Sequence, residues 1–203
     1  MTRTRSAHIT YYLLGVFVLT GLWLAPVRAQ AALSATGVSQ HHESTTGHKN
    51  EAGTLITMVR ESTERFRDVS VAEAEGYHLL FGCVSGSDAG AMGLHYANLS
   101  LVGDGELDPT RPEIVIYEPM PDGRLRLIGA DFLVLADAWH AKHPAAETPQ
   151  ITGQLLHLFE SPNRFGLPAF YTLHVWAWKE NPTGMFVNWH SNVSCDAFSG
   201  ANP

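Results

Sequence analysis

Phe170-Tyr-Thr-Leu-His-Val-Trp-Ala-Trp-Lys179, Glu180-Asn-Pro-Thr-Gly184 and Met185-Phe-Val-Asn-Trp-His190 read in order as strand, turn and strand. The flanking runs are rich in aromatic and β-branched residues, which suit a pleated, half-buried surface. Between them, Asn181, Pro182 and Gly184 occupy the first, second and fourth positions that a type I turn favours. With Gly184 left-handed, the loop has three residues and a bulge. Trp176 then faces His190 and Trp178 faces Asn188, and His174 lies diagonal to His190, about 7–8 Å away between backbones. This register gives one face His174, Trp176, Trp178, Asn188 and His190. A four-residue loop instead shifts the register by one and separates the two histidines.

Working back from that hairpin, the chain offers further antiparallel signals. Residues 94–102 alternate and end at the Gly103-Asp-Gly105 turn, while 113–119 and 124–135 flank Met120-Pro-Asp-Gly123. Residues 136–143 fit a short helix, and 150–159 are open between helix and strand. Upstream, Leu55, Val59 and Phe66 recur at helical spacing with charged residues between them, an amphipathic helix. Ser70-Val-Ala-Glu73 has the form of a capping box and Gly76 supplies a stop, giving a second, short helix. Helices followed by hairpins, without βαβ alternation, predict an α+β fold: an antiparallel, curved or barrel-like sheet with two N-terminal helices packed on it.

The first 31 residues have the three parts of a secretory signal peptide. Arg3 and Arg5 precede an apolar run from Tyr11 to Ala25, which is followed by Pro26 and by small residues at Ala29 and Ala31. The run falls short of the roughly 20 residues that a spanning helix needs. Residues 32–52, polar and rich in Ser, Thr and Gly, read as a disordered linker, and 53–203 as a single α+β domain. The expected address is periplasmic or secreted, with no membrane association after cleavage.

Without its first 31 residues the chain keeps 10 Lys and Arg against 20 Asp and Glu. That balance excludes a nucleic-acid surface, which needs clustered cations against phosphate. Cys83 and Cys195 are the only cysteines. In an oxidising compartment an even count favours a disulfide, and the absence of a C-x-x-C pair argues against a thiolate metal site.

Two function classes follow. In the first, His174 and His190 on the hairpin are joined by His95, in Gly93-Leu-His95-Tyr96, and by Glu118, just before Pro119. Three imidazoles and a carboxylate suit a divalent transition metal such as Zn, Mn, Fe or Cu, or a small-molecule ligand. Trp176, Trp178 and Asn188 would wall the ligand. Asp131 is set aside as a co-ligand, since its register puts it four or more residues from Glu118, about 13 Å along the strands. The second class is a non-catalytic interaction or structural module that uses the aromatic face. A G-x-S-x-G elbow and a phosphate-cradling loop are both missing, so no catalytic residue is assigned.

Arg65-Phe-Arg67-Asp68-Val69, Ala72 to Tyr77, Gly93-Leu-His95-Tyr96 and residues 173–186 together resemble exported bacterial proteins of unassigned function. The resemblance spans about 54–196. It implies one extracytoplasmic domain and carries over no activity.

Overall fold

A computed structural model describes residues 40–86, 88–145 and 148–200. The signal-peptide expectation (1–31) and the start of the expected linker (32–39) lie outside the described residues. Three helical pieces lead: α1 (Gln40–Thr63), a 3-10 turn (Glu64–Arg67) and α2 (Val69–Ala74). Strands β1 (His78–Ser85) and β2 (Ala91–Ala97), helix α3 (Leu99–Val102), β3 (Ile114–Pro119), β4 (Leu125–Leu135) and helix α4 (Ala136–Lys142) follow. The series ends with β5 (Gln150–Ile151), β6 (Gln154–Leu155), β7 (His157–Phe159) and β8 (Phe170–Val175). Among the described residues, six strands form one antiparallel sheet in the order β1-β2-β3-β4-β8-β7, curled into a half-barrel, and β5 pairs with β6 in a separate two-stranded sheet. The fold is therefore α+β with a curved antiparallel sheet.

Several local expectations differ from what forms. The helix expected near Thr54 begins at Gln40, so residues 40–52 of the expected linker are helical. The short second helix is capped by Asp68, whose carboxylate accepts from the backbone N and the Oγ of Ser70, and not by Ser70. Asn98 accepts from Ser100 N and starts α3 where the alternation suggested that a strand ran on.

Strands β2, β3 and β8 are buried along their whole length because both faces of the sheet are covered. On one face, Leu55 and Val59 of α1 pack with Phe132, Val134, Leu173 and Val175. Beside them, Phe66 and Ala72 pack with Leu94, Val115 and Tyr117. Tyr117 donates its hydroxyl to Phe66 O at 2.6 Å, and Trp178 Nε1 donates to Thr63 Oγ1 at 3.0 Å, so buried polar groups on this face are paired. The concave face carries the alternate residues: Ile114 and Ile116 of β3, Leu133 of β4, and Phe170.

The hairpin expected over 170–190 does not form. Its turn is present, with Gly184 N donating to Asn181 O at 3.1 Å, but β8 stops at Val175. Ala177 N donates to Val175 O at 2.8 Å, a three-residue turn centred on Trp176 that breaks the alternation. Trp176 N donates to Met185 O, while His190 exchanges two backbone hydrogen bonds with Ala91 of β2. The last segment thus returns to the start of β2, where Cys195 bonds Cys83 with a Cα–Cα distance of 5.6 Å.

Candidate metal centre

His95, Asp131 and His174 project from β2, β4 and β8 onto the concave face. Ladder register places them: His95 opposes Ile116, Ile114 opposes Asp131, and Asp131 opposes His174. On a flat sheet β2 and β8 would lie about 14 Å apart, three strand spacings of about 4.8 Å. The curl removes that separation. His95 Nε2 and His174 Nε2 stand 3.4 Å apart, and one ligand atom from each of the three side chains falls within 4.8 Å of the others. All three residues are buried.

Each partner fixes a donor. His95 Nδ1 lies 3.2 Å from Gly93 O, which can only accept, so the proton sits on Nδ1 and the Nε2 lone pair faces His174. Gly93 can present that carbonyl because its φ is +93°, and a Cβ there would come 2.6 Å from Tyr117 O. His174 Nδ1 is 3.7 Å from Asp131 Oδ1 and has no hydrogen-bond partner among the described residues. Asp131 Oδ1 accepts from Thr172 Oγ1 at 2.5 Å.

Burial sets the protonation states. It pushes His95 down to about 4, an effect reinforced by His174 and opposed by Asp131. It pushes His174 down to about 4 as well, with the Asn188 side chain acting in the opposite sense. Burial also raises Asp131 to about 6, against the influence of His95, the Thr172 hydroxyl and the Leu173 backbone. At neutral pH the cluster is therefore two uncharged imidazoles and one carboxylate. That is a two-nitrogen, one-oxygen donor set with a buried negative charge, and a dication in its midst would offset the charge.

The residues named from sequence divide. His95 and His174 are brought together, and Asn188 lies beside His174. Glu118 is not with them. The bulge between Ile116 and Tyr117 and the pairing of Glu118 with Arg126 place it further along β3. There it accepts from Lys179 Nζ at 2.7 and 3.0 Å and from Arg126. Burial raises its pKa, but those cationic partners outweigh burial and hold it below the ordinary value. His190 is fully buried and apart from the trio, accepting from Asn192 N on Nδ1 and meeting the Trp176 ring edge-on at 4.9 Å. Its Nε2 has no hydrogen-bond partner among the described residues.

Trp176 and Trp178 do not share a face either. Trp176 packs in the concave cluster, 5.8 Å from the His174 ring, whereas Trp178 sits on the helix side under Arg67, 4.5 Å away. The turn at Trp176 is the physical reason. Asp131, expected to stand apart because it lies four or more residues along the strands from Glu118, does stand apart from Glu118 and joins the histidines instead. The signal that marks it is a lone carboxylate within Leu127–Leu135, a run with no other charged residue.

A small cavity of about 30 Å³ opens beside the trio, walled by Leu80, Phe81, Phe159, Phe165 and Phe170 among others. Among the described residues no helix is long and apolar enough to cross a membrane, and the disulfide is compatible with an oxidising, exported location. Comparison with known proteins finds no matching family model, no matching curated protein and no matching solved structure.

Proposed function

We propose that this is an exported metal-binding protein that holds one divalent transition-metal ion between His95 Nε2, His174 Nε2 and Asp131, with at least one coordination position left for a small ligand. The observation that carries the reading is the 3.4 Å separation of the two Nε2 atoms. Nitrogens bound at 2.0–2.1 Å to one tetrahedral ion stand about 3.3–3.4 Å apart. The hydrogen bond from His95 Nδ1 to Gly93 O supports it, because metal-ligating histidines characteristically donate their second ring nitrogen to a carbonyl or carboxylate. Two histidines and a carboxylate leave open positions on Fe(II), Mn(II), Co(II) or Zn(II), where a bound molecule can be polarised.

The competing reading is a packed core in which one imidazole donates to the other and no ion enters. Metal analysis and cobalt titration of untagged protein separate the two. The expected result is one ion per chain. His95→Ala, His174→Ala and Asp131→Asn should each weaken binding by more than about 100-fold, beyond what loss of an outer-shell partner costs. Glu118→Gln and His190→Gln should stay near the wild type. Protein that takes up no ion, or a His190→Gln variant as impaired as His95→Ala, would sink the assignment.

A further inference from the structure

Part of the cavity wall comes from the segment that joins β7 to β8. Strands β1 and β7 are the two edges of the half-barrel, and the segment 160–169 crosses between them. Its Phe165 ring lies 5.3 Å from Phe81 of β1 and 6.4 Å from Phe170 of β8, and Phe159 of β7 stacks on Phe170 at 5.2 Å. The segment is held from within by one side chain. Asn163 Nδ2 donates to Glu160 O and Leu167 O, and Asn163 Oδ1 accepts from Phe165 N and Leu167 N. Phe165 and Leu167 are thereby set side by side on the cavity that contains His95, Asp131 and His174.

The space they leave is about 30 Å³ for the centre of a water-sized sphere, where one water needs only about 10–15 Å³, so it holds roughly two to three such atoms. Among the described residues Asp131 is the only carboxylate lining it, and no lysine or arginine does. A dication bound to one carboxylate and two neutral imidazoles keeps one positive charge in apolar surroundings, which a monoanion neutralises. Resting on the metal reading above, we propose that the open position is a size-selected seat for a single monoanion of at most three heavy atoms. Phe165 is the residue that sets the limit. Larger organic acids are excluded by the phenylalanine wall, while the charge of the occupied centre disfavours cations.

Cobalt(II)-loaded full-length chain, titrated with azide and separately with benzoate, tests this through the visible d–d bands. The two probes carry the same charge, and the ring of benzoate matches what Phe165→Ala removes. Azide should shift the wild-type bands saturably, and benzoate at equal concentration should not. Phe165→Ala should bind benzoate at least about tenfold more tightly than the wild type while keeping its azide response. Leu167→Ala, on the same wall, should admit benzoate in the same sense, and it serves if Phe165→Ala does not fold. Benzoate binding to the wild type as well as azide, or exclusion of benzoate from the folded wall variants, overturns the size limit while leaving the metal site standing. A chain that takes up no cobalt overturns the metal reading instead.

Discussion

Asp131 on β4 and Glu113, the residue just before β3, are both buried carboxylates, and they are kept there by different means. Asp131 has a hydroxyl and two facing imidazoles. Glu113 has the Leu133 backbone N–H, which it accepts at 3.0 Å, and burial pushes its pKa from 4.5 up to about 8. Since the folded form holds its proton more tightly than the unfolded chain, the stability this confers is complete below about 4.5. It is lost as pH rises towards about 8. The loss runs at no more than about 1.4 kcal/mol per pH unit. Glu113→Gln keeps an acceptor for Leu133 and has nothing to ionise. Urea unfolding at pH 5 and pH 8 should therefore show a smaller fall for the variant, and equal falls would refute the assignment. At this scale the sequence was only partly legible. The two histidines that meet, His95 and His174, could be named from residue type and strand position. Their carboxylate partner could not, because which acid joins them depends on how far the sheet curls.

Elements were easier to read than their ends. The β3–β4 hairpin and α4 form within a residue or two of where turn chemistry and periodicity put them. The β5–β6 hairpin, turned at Thr152-Gly153 with both φ angles positive, lay hidden in a stretch that fitted helix and strand equally. The expected 170–190 hairpin failed for a tertiary reason. Asn181, Pro182 and Gly184 make their turn, but Ala91 takes the backbone pairing of His190 and the turn at Trp176 redirects the chain. Strand β2 itself depends on Gly93. Gly93→Ala should cost about 1–3 kcal/mol for the left-handed backbone alone, with the clash against Tyr117 O added. By displacing the carbonyl that orients His95, it should also weaken cobalt binding by about 10–100-fold. Denaturant titration and cobalt titration of the same preparation would read both. A destabilised variant with unchanged cobalt affinity would show that the carbonyl does not position the imidazole.

The whole domain is an open sheet, and open sheets have two edges that must be managed. The loop carrying Phe165 spans from β7 towards β1 on one side. On the other, the C-terminal segment returns to β2 and is fastened to β1 by the disulfide. Closing a loop of 112 positions should contribute roughly 4–5 kcal/mol through restriction of the unfolded chain. The paired Cys83→Ala, Cys195→Ala variant should unfold at lower urea by that order, and an unchanged midpoint would deny the bridge its structural role. Fold class, sheet curvature and the cysteine pair were all accessible from pattern and composition, because they rest on turn residues and counting. The faces of Trp176 and Trp178 were not, since they rest on one irregular turn.

The solitary cysteine pair also bears on how the molecule is made. Two thiols admit one internal pairing, so an oxidant alone suffices and no shuffling enzyme is required. Cys83 lies on the first strand and Cys195 beyond the last, so their bond joins the two ends of the sheet-forming chain across 112 positions. Until that bond forms, each cysteine is a free thiol, open to capture by another molecule.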